Sequence, residues 1–261
     1  MTSDLAITPV TRPLAIGEVE IVPGDPATGL LLLCDHASNA IPPEFDALGL
    51  APAQLERHIA YDIGAADVTR AMAAALRAPA VLSNFSRLLI DPNRGLDDPT
   101  LVMRLSDGAI VPGNRDIDAA GIAGRVARFY KPYDAAIDAA VEAAIAAGHP
   151  PAIVSIHSFT PFWKQAARPW HVGLLWDGEG SLSKLLIAAL QADPELIVGD
   201  NEPYSGGLPG DTIDRHAMRR GLPDTLIEVR QDLIADRETA FAWGRRLAAV
   251  LPGCIEALRM G

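Results

Sequence analysis

Ala152-Ile153-Val154-Ser155-Ile156 runs straight into His157 and Ser158. A short apolar run of this kind reads as a buried strand, and an imidazole at its exit is placed to bind something. One other segment repeats the pattern: Leu30-Leu31-Leu32-Leu33-Cys34-Asp35 leads directly into His36, Ser38 and Asn39. In an open parallel α/β sheet, functional groups gather at the carboxyl ends of strands, where loops leave a crevice at the topological switch point. Either histidine alone is equally well explained as a hydrogen-bonded residue at a strand terminus. The repetition favours one shared metal site.

Outward from these two strands, short apolar runs alternate with Ala-rich amphipathic stretches, the mark of strand–helix units and a largely parallel sheet. Strands are expected at Leu30 to Cys34, Ala80 to Ser83, Ala152 to Ile156, Val172 to Trp176, Leu196 to Gly199 and Thr225 to Val229. Apolar residues at three- and four-residue spacing predict helices over Gly64 to Arg77, Ile117 to Ala147, Ser181 to Gln191 and Arg237 to Val250, the third with Ser181 as its N-cap. The class is α/β, with a mostly parallel (mixed) sheet flanked by helices. From Arg87 to Arg115 the periodicity fails, and Asp91-Pro92-Asn93-Arg94-Gly95-Leu96-Asp97-Asp98-Pro99 is polar and turn-rich. Long loops of this type serve as lids or binding segments, or are solvated excursions. A second such segment, Asn201 to Gly210, holds the Gly206-Gly207 pair, whose backbone freedom suits close approach to a ligand.

The 261 residues are enough to bury one substantial core, so a single α/β domain over 1–261 is expected. With 49% apolar and 21% charged residues, and no apolar run near the ~20 residues that span a bilayer, the protein is expected to be soluble and independent of membranes. Met1-Thr2-Ser3-Asp4-Leu5 lacks a basic region followed by an apolar core, which leaves the cytoplasm as the expected location. A net charge of −11 argues against nucleic-acid binding, which rests on a basic surface. Cys34 and Cys254 are far apart, and Cys34 falls within a strand, so a small hydrophobic thiol is expected there rather than a disulfide or a thiolate ligand.

A catalytic zinc site takes three protein ligands from histidines and carboxylates and leaves one position open. His36 and His157 supply two. Asp62, in Arg57-His58-Ile59-Ala60-Tyr61-Asp62-Ile63-Gly64, is the favoured third, with Glu56 as rival and His58 weaker; Asp62 is also a candidate N-cap for the helix beginning near Gly64. Glu228 interrupts the apolar strand Thr225 to Val229, where a carboxylate is costly unless paired or used. Proton transfer to a leaving amine is one use, and an ion pair with Arg230 the plain alternative. Arg87 and Arg94 bring two guanidiniums into the polar loop. Such forks grip carboxylates bidentately, which points to a small anionic substrate, although pairing with Asp97 or Asp98 would also account for them. Arg115, Arg215 and His216 are further candidates for the same pocket.

In order along the chain, His36 with Ser38 and Ile41-Pro42, then Asp62, Ser86-Arg87, Asp91-x-Asn93-Arg94, His157-Ser158, Tyr204-x-Gly206-Gly207 and Glu228 together resemble the N-formylglutamate amidohydrolase family. The resemblance implies a phosphorylase/hydrolase-like α/β fold, similar to zinc exopeptidases and cell-wall amidases, in which metal-bound water attacks an amide carbonyl. It implies one Zn2+, or another divalent metal, on His36, Asp62 and His157, with Glu228 as general base and acid. Arg87, Asn93, Arg94 and Tyr204 then correspond to the substrate-binding residues. Two segments depart from the pattern: His36-Ala37-Ser38-Asn39-Ala40 lacks a glycine, and His157-Ser158-Phe159-Thr160-Pro161 is followed by the bulky Phe162-Trp163. The implied substrate is a small anionic N-acyl amino acid such as N-formylglutamate. The alternatives are a peptide or cell-wall-fragment amidase, and a non-catalytic small-anion-binding protein.

Overall fold

The computed structural model describes residues 15–260, so the expectation placed on Met1 to Leu5 lies outside the described residues. Seven strands form one mixed sheet: β1 (Glu20–Val22), β2 (Leu30–Cys34), β3 (Ala80–Leu82), β4 (Ala152–Phe159), β5 (Val172–Leu175), β6 (Val198–Asp200) and β7 (Asp224–Arg230), in spatial order β1-β3-β2-β4-β7-β5-β6. The central strands β3, β2, β4 and β7 are parallel; β1 pairs antiparallel with β3, and the parallel pair β5-β6 runs antiparallel to β7.

Alternation along these strands divides the core. Leu30, Leu32 and Cys34 of β2, Val154 and Ile156 of β4, and Ile227 and Val229 of β7 face one layer. Leu31, Leu33, Ile153 and Leu226 face the other. The first layer is covered by α1 (Ala65–Leu76), α3 (Ser181–Gln191) and α4 (Arg237–Met260). The second is covered by α2 (Lys131–Ala146), through Tyr133, Ile137 and Val141. A strand buried on both faces needs apolar residues at successive positions, which is why the leucine run of β2 reads so plainly; each fully buried leucine contributes on the order of 2 kcal/mol. Cys34 and Cys254 are free buried thiols, and burial pushes that of Cys34 above its ordinary range.

After β2 the chain crosses by α1 on one layer to reach β3; it then enters β4, on the other side of β2, from α2 on the opposite layer. The switch point therefore falls between β2 and β4, the strands that carry His36 and His157. No helix among the described residues is long and apolar enough to cross a membrane.

Several boundaries differ from the sequence expectations, each for a local reason. Strand β4 does not stop at Ile156: it runs through His157 to Phe159, held by β7 in register His157↔Glu228 and Phe159↔Arg230. The strand expected from Leu196 begins at Val198, because Leu196 still closes a turn onto Asp193. Ser181 is not an N-cap. That position belongs to Gly180, whose left-handed backbone (φ 57°) turns against the Trp176 ring and leaves no room for a side chain. The long helix expected from Ile117 starts after an Asp118 cap and is broken by a π-turn over Val126–Tyr130. Helix α4 continues past Val250 and through Pro252 to Met260. Within the long loop after β3, Leu105–Ser106 and Ala109–Ile110 form a small hairpin.

Gly64 caps α1 with φ 80°, and a Cβ there would overlap the carbonyl oxygen of Ile234. Left-handed strain and this backbone clash act together, so Gly64→Ala is expected to lose roughly 3 kcal/mol and to lower the melting temperature by about 6–12 °C in a thermal scan. An unchanged melting temperature would show that the helix start relaxes freely.

Candidate metal centre

His157 lies on the same face of β4 as Ser155 and Ile153, and β2 and β4 are paired so that Leu33 stands beside Ser155. Two residues further along each strand, Asp35 and His157 meet: His157 Nε2–H donates to Asp35 Oδ2 at 3.0 Å. Asp35 is buried and accepts three more bonds, from the Ser155 hydroxyl to Oδ2 at 3.0 Å, and from Tyr133 and Thr212 to Oδ1 at 3.1 and 2.7 Å. His36 repeats the arrangement with a different acid, its Nε2–H donating to Asp91 Oδ1 at 2.7 Å. With both Nε2 atoms committed, the two Nδ1 atoms turn toward Asp62: Oδ2 lies 3.3 Å from His36 Nδ1 and 2.9 Å from His157 Nδ1.

One ligand atom from each of His36, Asp62 and His157 lies within 4.8 Å of the others. Tetrahedral zinc with bonds of 2.0–2.1 Å separates neighbouring ligand atoms by about 3.3 Å, so the observed spacings suit such an ion. The orientation fits as well, because metal-binding histidines hold their second nitrogen against a carboxylate. Charge adds a third argument. Four buried acids, Asp35, Asp62, Asp91 and Glu228, converge on two imidazoles and the guanidinium of Arg87. Without further positive charge, a proton on His157 is what compensates. Burial opposes ionisation of Asp62, but His36 and His157 hold its pKa far below the carboxylate range. Burial likewise opposes a charged His157, yet Asp35 and Asp62 raise its pKa well above the ordinary value. A divalent cation meets the same demand.

Glu228 stands beside His157 across the β4–β7 pair, on the same face. Its Oε2 is the one buried side-chain oxygen or nitrogen among the described residues with no hydrogen-bond partner. Burial first, and the charge of Asp62 second, push its pKa up to about 7, against the pull of His157, His36 and Arg87. Arg230 does not pair with it, being spent on Asp232 and on backbone carbonyls of residues 168–170.

The cluster opens into a cavity of about 410 Å3 lined by all eight residues singled out from the sequence: His36, Asp62, Arg87, Asn93, Arg94, His157, Tyr204 and Glu228. Arg87 is less free than a substrate anchor would be. Its Nε and Nη2 both donate to Asp91 Oδ2, at 3.0 and 2.6 Å, and Nη1 is 3.5 Å from Asp62 Oδ1. Arg94 donates to the Asn93 carbonyl at 2.7 Å and to the Thr100 hydroxyl at 3.2 Å, and its only acid, Asp98, is 3.9 Å away. The Asn93 side-chain oxygen accepts from Thr212 N, which leaves its amide N–H groups for the cavity.

The other candidates stand outside the ligand cluster. Glu56 turns to Asn39, and Asp62 is not an N-cap. His58 lines the cavity beside Asp107 but stands apart from the ligand cluster. Arg215 and His216 are tied to Asp134 and, for His216, Asp138; with Arg115, they do not reach the cavity. Sequence reasoning passed over the roles of Asp35 and Asp91, although each follows an apolar run. That position was their only available signal.

A family model described as N-formylglutamate amidohydrolase matches residues 28–235. Among solved structures, a gene product of Agrobacterium tumefaciens is 31% identical, with TM-score 0.86 over 93% of this chain and 96% of that one. N-formylglutamate amidohydrolase from Ralstonia eutropha is similar at 23% identity and TM-score 0.74, over 94% of this chain and 100% of that one. A bacteriophage poly-gamma-glutamate hydrolase shares the fold at 10% identity and TM-score 0.50, over 95% and 92%. A search of curated proteins found no match.

Asp35 offers a direct check on the ligand geometry. Asp35→Asn keeps the shape but removes the charge that orients His157, and is expected to weaken divalent-metal affinity about 10–100-fold in chelator competition. Unaltered affinity would mean that His157 is oriented without it.

Proposed function

This chain belongs to the N-formylglutamate amidohydrolase family, and from that premise we propose that it is a zinc-dependent enzyme removing the N-acyl group, formyl above all, from an acidic N-acyl amino acid. The amide-hydrolase activity follows from the family; the metal, the substrate and the residue roles are the proposal. One observation carries it: the Nδ1 atoms of His36 and His157 and a carboxylate oxygen of Asp62 converge beside Glu228, whose buried Oε2 has no partner.

His36, Asp62 and His157 would hold the ion. A bound divalent cation supplies a Lewis acid that brings the pKa of water toward ~7 and polarises an amide carbonyl. Glu228, buried beside the ion site with its Oε2 unpartnered, would accept a proton from water and pass it to the departing amine nitrogen. Water and amide thus become a carboxylic acid and an amine, with Glu228 returned to its starting state. Arg94, which has no close acid, and the free amide of Asn93 would fix a substrate carboxylate, and Tyr204 would close the outer wall. Arg87 also borders the substrate, while most of its donors hold Asp91, and through it His36, in place. Orientation of this kind supplies several kcal/mol of barrier reduction. The setting proposed is a single cytoplasmic α/β domain acting on a small anionic molecule, with no membrane or nucleic-acid partner.

The test is hydrolysis of N-formyl-L-glutamate by protein of measured metal content. Glu228→Gln is expected to keep its zinc yet lose at least about 100-fold in kcat, whereas His157→Ala is expected to lose both zinc and activity. Full activity of chelator-treated protein, or of Glu228→Gln, would reject the mechanism.

A further inference from the structure

The cavity is larger than a formyl group requires. Its volume of about 410 Å3 falls in the range that holds a drug-sized ligand, whereas the acyl part of an N-formyl amino acid is one carbon and its oxygen. Where the surplus lies follows from the neighbours of loop 201–210. Near its end, Gly210 packs so tightly on Gly95, the residue after Arg94, that a Cβ there would stand 2.8 Å from the Gly95 Cα. Near its start, Tyr204 shares the Arg168 guanidinium with Trp163, the carbon lying 4.9 Å from the first ring centre and 5.4 Å from the second. The ion site stands between these two ends. His36 is tied to Asp91, in the Arg94 segment. His157 is followed on the same face of β4 by Phe159, whose ring centre is 5.8 Å from that same guanidinium. Phe159, Trp163 and Tyr204 all line the cavity, so a carboxylate grip at one end faces an aromatic wall at the other.

The aromatic wall is held rigidly from behind. Arg168 is buried, donates from Nη1 to the Thr160 hydroxyl at 3.1 Å, and rests against the rings. Trp163 and Tyr204 are nevertheless 47% and 44% exposed, so the sides turned away from Arg168 are open. Trp163 is further fixed by its hairpin, in which Phe162–Trp163 pairs with Ala166–Ala167. Apolar surface of this kind, grouped at the mouth of a polar cavity, marks a place where a ligand rests. A formyl group would leave those ring faces in water. An aromatic ring laid on them would remove apolar surface from water and gain stacked or edge-on contact.

We propose that Phe159, Trp163 and Tyr204 form an acyl-group subsite, and that the protein hydrolyses N-acyl amino acids whose acyl group carries an aromatic ring, such as phenylacetyl, as well as formyl. With the amino-acid carboxylate on Arg94 and the amide at the ion site, the acyl group extends away from Arg94, toward Trp163. Water adds across the amide C–N bond, and phenylacetic acid and the free amino acid leave. The bulky Phe162-Trp163 pair, a departure from the family pattern, thereby acquires a use. The inference rests on the amidohydrolase reading for its reaction and goes beyond it in the acyl group.

N-phenylacetyl-L-glutamate and N-formyl-L-glutamate share their amino-acid half, which makes them the test pair. Zinc-loaded protein is expected to hydrolyse both, with a KM about tenfold lower for the aromatic substrate, since filling an apolar site by even one methylene is worth about 10-fold or more. Trp163→Ala should reduce the phenylacetyl-to-formyl ratio of kcat/KM about tenfold, mainly through the KM of the aromatic substrate, and Trp163→Phe should restore most of it. Calorimetry with phenylacetate supplies a readout independent of turnover, and its affinity should fall in Trp163→Ala by a similar factor. Hydrolysis of the formyl substrate without the phenylacetyl one, an equal effect of Trp163→Ala on both, or phenylacetate binding indifferent to Trp163 would each overturn the proposal. Should neither substrate be hydrolysed while phenylacetate binding still depends on Trp163, the amidohydrolase reading fails and the aromatic subsite stands.

Discussion

A carboxylate excluded from water must be surrounded by donors, and Asp35 meets that condition with four, drawn from β4, α2 and the segment entering the short helix Thr212–His216. Burial alone would raise its pKa, but His157, His36 and Thr212 hold it well below the usual range. The acid therefore stays charged and the donors stay directed at it. Its place immediately after Cys34 makes it the point where the apolar interior of the sheet passes into the polar end. Below it, β2 and β4 pair mainly through apolar residues; beside it, His157 and His36 enter a charge network.

That network runs unbroken from Arg87 through Asp91, His36, Asp62 and His157 to Asp35. Two acids each fix the far nitrogen of one imidazole, and Asp62 collects the near nitrogens. Buried ion networks of this density are weak sources of stability, because desolvation offsets much of the attraction. Their value lies in geometry: each member has one orientation that satisfies its neighbours. Glu228 is the exception, with an oxygen left unsatisfied at the cavity edge, and an unmet polar group inside an otherwise complete network marks the place where chemistry is expected.

Much of this was legible in one dimension, for identifiable reasons. The run Leu30 to Cys34 reads as a strand because burial on both faces removes any polar alternation. Helix α1 announces itself through Val68 and Met72 at four-residue spacing. The eight candidate residues, which the fold brings to one cavity, stand as an ordered set spread over nearly two hundred positions. What the sequence could not display was pairing. The extension of β4 to Phe159 depends on β7, a partner some seventy residues away. Asp35 and Asp91 look like turn residues until the histidines they hold are placed beside them. Gly180 displaced Ser181 at a helix start because a cap is chosen by the space beside Trp176 as well as by side-chain chemistry.

The hydrogen bonds of Thr212 join features that lie far apart along the chain. Its backbone N–H is held by Asn93 and its hydroxyl by Asp35, which in turn orients His157. The loop that would grip a substrate and the strand that would hold the ion are thus fastened to one threonine. Neither can drift without disturbing the other. Ordering entropy for this end of the cavity falls on folding rather than on ligand entry, and a ligand meets a frame whose spacing between grip and ion is already set. A ligand held between the two walls would therefore be selected by its length, since neither wall can slide to admit one methylene more or fewer.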